Sequence, residues 1–179
     1  MNVFVFLATG FEEMEAIGTI DILRRGGVET VTVSITGNKT VTGVHGIPVI
    51  ADELFEELDF WDNIAIVLPG GGPGSVMLNQ HEGVRQVLVD AYENSKLIAA
   101  ICAAPRVLGS LGLLKGRKAT CYPGIEPELT GAKVVTDPVV TDDNIITARG
   151  PGLVFDFGLA ILNYLNIDTK TIASDLLIN

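Results

Sequence analysis

Cysteine is scarce in this chain, with two among 179 residues. Two thiols do not make a disulfide framework, so a packed core must hold the fold. No stretch approaches the 18 or more apolar residues of a membrane-spanning helix. Basic residues are also few: 12 Lys and Arg stand against 22 Asp and Glu, a formal charge of −10. That balance repels phosphate backbones and anionic lipid, so neither nucleic acid nor a membrane is an expected partner. The two histidines, His45 and His81, and the two cysteines, Cys102 and Cys121, show no paired spacing of a zinc site, so no metal is expected. The opening residues 1–7 lack the basic start and longer apolar run of a signal peptide, which makes a cytoplasmic protein the simplest expectation.

What is present is a core. Hydrophobic residues make up 47% of the chain and charged residues 19%, enough for one domain over 1–179 to bury about 70% of the surface its unfolded chain exposes. Apolar runs of strand length alternate with helical patterns from end to end, which predicts an α/β fold with a mostly parallel sheet covered on both faces. Strands are expected at Asn2–Leu7, Glu29–Ile35, Asn63–Leu68 and Lys96–Ile101. Shorter ones are expected at Lys118–Thr120, Lys133–Val134, Val139–Val140 and Ile145–Thr147, with a hairpin or an edge excursion over Thr40–Ile50. Helices are expected at Glu12–Arg25, about 75–79, 83–93, about 104–112 and Leu153–Leu165. Residues 166–179 carry no assignment.

Sites in open sheets of this kind form outside the carboxyl ends of the strands. Four features converge there: the turn from Ala8 to Glu15, the glycine turn from Gly70 to Gly74, Cys102, and the segment Arg149-Gly150-Pro151-Gly152. Cys102 ends a buried strand, and Ala103-Ala104-Pro105 opens a helix behind it. That turn lifts a nucleophile off the backbone and aims the positive end of a helix at it. A helix terminus alone lowers a thiol by less than about one pKa unit, so converging N–H donors or a hydrogen-bonding neighbour must supply the rest. Glu12 and Glu13 read as solvated charge at a helix start. Glu15 lies one step further and is placed to enter the crevice, where a carboxyl beside a thiol shares a proton with it.

The glycine turn lacks the Gly-Lys-Ser/Thr ending of a P-loop and the spacing of a dinucleotide fingerprint, so no nucleotide cofactor is expected. Its use is to present N–H groups beside Cys102, or simply to turn. Cys121 is expected to be quietly packed, the alternative being a resolving thiol for Cys102.

Five segments in order resemble the ThiJ/PfpI superfamily, in the branch of the parkinsonism-associated deglycase: Ala8 to Glu15, Asp21 to Gly27, Leu68-Pro69-Gly70-Gly71, Ala99 to Pro105, and Ala148 to Gly152. The resemblance runs from Val3 to about Leu165. It implies a flavodoxin-like three-layer sandwich, class I glutamine amidotransferase-like, usually assembled as a homodimer. It also implies that Cys102 is an oxidisable nucleophile and that Glu15 is a protonated carboxyl bonded to it. Gly71 and Ala103 match positions whose N–H groups face the cysteine, and Arg25 and Arg149 match positions near the dimer interface and the site. Two departures stand out. Tyr122 follows Cys121 where many relatives carry a histidine, which removes the general base of the peptidase-like members, and His45 stands where a human relative has an arginine.

Two functions are implied, both at one site. The first is cofactor-free catalysis on a small reactive dicarbonyl, of the glyoxalase or deglycase type, with Cys102 as nucleophile and Glu15 as proton shuttle. The second is redox sensing in a stress response through a Cys102 sulfinic acid.

Overall fold

The computed structural model describes residues 2–178; Met1 and Asn179, the ends of the expected domain, lie outside them. Asn2–Leu7 (β1) is followed by Glu13–Arg25 (α1), Thr30–Ser34 (β2), the hairpin Thr40–Thr42 (β3) and Pro48–Ile50 (β4), and Glu53–Leu54 (β5). Asn63–Leu68 (β6), Gly72–Gln80 (α2), Glu82–Glu93 (α3), Leu97–Ile101 (β7) and Pro105–Ser110 (α4) form the middle of the chain. Lys118–Ala119 (β8), Lys133–Val134 (β9), Val139–Asp142 (β10), Ile145–Ala148 (β11), Val154–Tyr164 (α5) and Lys170–Asp175 (α6) complete it.

Seven strands form one sheet in the order β10-β11-β7-β6-β1-β2-β5. Only the β10–β11 pair is antiparallel in it. The strands are apolar at nearly every position because both faces are covered, and successive side chains alternate between two cores. Val3, Val5 and Leu7 enter the core beneath α1 and α5, whereas Phe4 and Phe6 enter the one beneath α2, α3 and α4. The covered, mostly parallel sheet is the one expected from the alternating pattern, and its flavodoxin-like α/β architecture is the one the resemblance implied. No helix among the described residues is long and apolar enough to cross a membrane.

Three elements differ from expectation. The tail, left unassigned, contains α6, whose Ile172 packs onto the α1/α5 core. The edge strand β5 is only two residues long and pairs with β2 through main-chain bonds, so it carries no periodicity to read. The helix behind Cys102 covers six residues rather than about nine, ending at Ser110 ahead of Gly112.

Candidate active site

Cys102 leaves β7 at a backbone φ of +64°, a left-handed conformation uncommon for a residue with a Cβ and found where a structure holds a side chain in a special direction. Two main-chain bonds hold it there: its N–H donates to Ala148 O at 2.8 Å, and its carbonyl accepts from Tyr122 N–H at 2.8 Å. The strained residue is thus clamped between β11 and the segment after β8.

Gly70 and Gly71 bring the opposite wall close. A Cβ on Gly70 would stand 2.5 Å from Glu15 Oε2, 2.6 Å from Cys102 Cβ and 2.9 Å from Ile101 O, so only glycine leaves room for both functional side chains. Gly71, at φ +90°, turns its N–H toward sulfur; with Ala103 N–H it donates to Cys102. These two donors act downward on the thiol, where a six-residue helix adds little. Three further N–H groups of this turn and the helix it opens are engaged, Gly70 with Glu15 Oε2, Gly74 with Gly10 O and Ser75 with Gly71 O.

Glu15 is fully buried on α1. Its Oε2 accepts the Gly70 N–H at 2.8 Å, and its Oε1 has no hydrogen-bond partner at ordinary distance. A bare oxygen in an apolar wall makes the charged carboxylate costly. Burial raises Glu15 to about 7, against smaller opposing contributions from Cys102 and Gly70 N–H. Beside the ionised carboxylate, Cys102 is itself pushed up to about 12, first by burial and then by the charge and hydrogen bond of Glu15, while Gly71 and Ala103 N–H act downward. The two groups therefore titrate as a unit that releases one proton near 7 and holds the second far longer. The sulfur is not a free-standing low-pKa thiolate, as a helix-activated cysteine would be. It ionises at neutral pH only with the proton kept on Glu15.

The other expected residues fall in different places. Glu12 and Glu13 are buried rather than solvated, because the β3–β4 hairpin closes over the start of α1. Glu12 Oε2 caps the helix by accepting Glu15 N–H at 2.7 Å, and Glu13 Oε1 accepts His45 N–H at 2.7 Å. Tyr122 meets Cys102 through its backbone, with its ring half exposed over Gly150. Arg149 Nε donates to Cys121 O at 3.4 Å. Arg25 pairs with Asp21 at 2.7 Å at the far end of α1, ten residues and so roughly 15 Å from Glu15; within one chain it does not reach the thiol. His81 caps α3 through Nδ1 and stacks on Phe55, leaving it without access to the site. Cys121 lies in the core on the other face from Cys102, and burial with the nearby Glu126 charge raises it to about 11.

The model of the DJ-1/PfpI family matches residues 1–164. The chain is 37% identical over 168 residues to DJ-1 homolog B of Arabidopsis thaliana, covering 92% of this chain and 38% of that protein. It covers 43% of homolog A from the same plant, so it spans about two fifths of these two relatives. It is also 37% identical over 155 residues to a deglycase of Pyrococcus abyssi, covering 85% of this chain and 92% of that one. The oxidized structure of Toxoplasma gondii DJ-1 superposes with a TM-score of 0.95 at 34% identity, covering 99% and 98% of the two chains.

Proposed function

Since the chain belongs to the DJ-1/PfpI family, we propose that it is a cofactor-independent enzyme acting on reactive dicarbonyls, with Cys102 as nucleophile and Glu15 as proton shuttle. The observation that carries this is a buried carboxyl and a thiol brought together beside Gly70 at a strained strand end. The similarity to an archaeal deglycase supports the substrate class.

The chemistry follows from the pair. Cys102 sulfur adds to the aldehyde carbon of an α-oxoaldehyde; the C–S bond forms, and the carbonyl oxygen takes the pair's proton to give a hemithioacetal. Glu15, now ionised, removes the C–H proton of that carbon to leave an enediolate, then returns it to the adjacent former ketone carbon while the hydroxyl proton passes to that carbon's oxygen. The product is a thioester of a 2-hydroxy acid, which water hydrolyses to the acid and the free thiol. One carbon is oxidised and its neighbour reduced, so no external electron carrier enters. The N–H groups of Gly71 and Ala103 steady the sulfur throughout.

A second reading is supported by the likeness to an oxidized relative. Peroxide adds two oxygens to Cys102 sulfur in successive steps, each releasing water, and a protonated Glu15 hydrogen-bonds the sulfinate. Lactate production from methylglyoxal without glutathione, measured beside the mass of Cys102 after mild peroxide, separates the two. Turnover favours the enzyme; a dead protein that gains two oxygens cleanly favours the sensor.

The partner is a second copy of this chain. Met14 and Ile17 on α1 and Val44, Ile47 and Ile50 on the hairpin form an exposed apolar group, of the kind that marks a self-complementary interface.

A further inference from the structure

Behind the site, α4 carries a charged side chain that the thiol chemistry does not use. Arg106 stands in its first turn, four residues after Cys102, with a side chain only 13% exposed. Its fork reaches two separate segments. Nη1 donates to Ser75 Oγ at 3.4 Å, and Nη2 donates to Glu128 Oε1 at 2.7 Å. Nε is buried without an acceptor. An apolar residue would fill this position without burying a charge or leaving a donor unpaired. What it could not do is join the two segments.

Each segment holds one side of Cys102. Ser75 is fully buried and ties down the glycine turn, its Oγ donating to Gly72 O and its N–H to Gly71 O, both at 2.9 Å. Gly71 N–H in turn donates to the Cys102 sulfur. Glu128 ends a run of main-chain bonds: its N–H donates to Ile125 O at 2.9 Å, Ile125 N–H to Tyr122 O at 3.1 Å, and Tyr122 N–H to Cys102 O at 2.8 Å. α4 lies directly against this segment, since a Cβ on Gly109 would stand 2.8 Å from Leu129 Cα.

We propose that Arg106 is a positioning residue for Cys102, joining the glycine turn to the 122–128 segment so that the sulfur keeps its Gly71 donor and the backbone its φ of +64°. This role deepens the dicarbonyl reading and rests on Cys102 being its reacting atom. A planar guanidinium holds its donors in a fixed fork, which an ammonium on a flexible stem does not. Arg106 acts by geometry and not by charge, because what moves the thiol is burial, Glu15 and the Gly71 and Ala103 N–H groups. Loss of the Gly71 bond takes a donor from the thiolate but leaves Glu15 in place. The sulfur is then charged in fewer molecules, while the pair still releases its first proton near 7.

The test is iodoacetamide labelling of the Cys102 peptide at pH 7 and 8 in wild type, Arg106→Lys and Glu128→Gln, with thermal melts to confirm folding and methylglyoxal consumption measured alongside. In Arg106→Lys labelling should slow by about tenfold at both pH values, as the loss of one hydrogen bond to a charged group would give, and kcat should fall with KM unchanged. The rise from pH 7 to 8 should stay at about twofold, which separates this variant from one that disturbs Glu15. Glu128→Gln changes a half-exposed side chain; it should slow labelling in the same direction, and it carries the test if Arg106→Lys does not fold. A purely structural arginine would lower the melting temperature and leave labelling of the folded chain as it was. Labelling that is unchanged or faster in either folded variant overturns the proposal. Labelling reads the sulfur whether or not a dicarbonyl turns over, so wild type that labels but consumes no methylglyoxal would remove the enzyme reading and not this one.

Discussion

Replacing Glu15 with Gln removes the proton carrier while keeping the shape of the side chain. The amide oxygen still accepts the Gly70 N–H that now meets Oε2 at 2.8 Å, so the wall of the site should stand. The thiol loses the group with which it shares a proton. In wild type the pair releases its first proton near 7 and the charge then left on Glu15 holds the second ionisation far higher, so the fraction of sites carrying a thiolate beside a protonated Glu15 levels off above 7. Gln neither takes the charge nor shares the proton, so the thiol titrates alone, from an ordinary 9.0 that burial moves upward. Between pH 7 and 8 alkylation of wild type should therefore rise by only about twofold, whereas in Glu15→Gln it should rise by about tenfold. The assay is iodoacetamide labelling across a pH series, following the Cys102 peptide by mass so that Cys121 does not interfere. An equally shallow rise in Glu15→Gln would refute the shared proton.

The same pair sets a pH dependence of stability. Glu15 holds its proton in the folded chain up to about 7 and from an ordinary value of 4.5, so the folded state binds more protons across that window and stability falls as pH rises through it. The loss is about 3 kcal/mol and flat on either side; denaturant titrations at pH 4.5 and 7.5 should show it in wild type and not in Glu15→Gln. Gly70→Ala drives a methyl into Glu15 Oε2 and Cys102 Cβ, at 2.5 and 2.6 Å, and should cost about 1–3 kcal/mol in unfolding free energy along with turnover; a variant as stable and active as wild type contradicts that close packing. Ile17→Glu places a charge in the exposed apolar group on α1 and should shift light-scattering mass from two chains to one, whereas an unchanged mass would move the interface elsewhere.

Much of this was legible because strands buried on both faces are written as unbroken apolar runs. Asn2–Leu7 and Asn63–Leu68 have the same bounds in sequence and structure, and the turn after Ile101 placed Cys102 where the strand ends. Glu15 was readable from its step along α1. The accidents of close approach were not. Nothing in Gly70 announces that its missing side chain is what admits both the acid and the thiol, and Glu12 and Glu13 looked solvated because the hairpin that buries them comes some 30 residues later. Tyr122 was singled out for its side chain, yet the contact it makes with Cys102 is a main-chain bond, which no side-chain pattern encodes.

The central claim rests on the sulfur itself. Methylglyoxal consumption without glutathione should be measured for wild type and Cys102→Ser at equal concentration, after confirming that both are folded. Turnover by wild type and none above the uncatalysed rate for the variant is the predicted result. Consumption that persists in Cys102→Ser would contradict it.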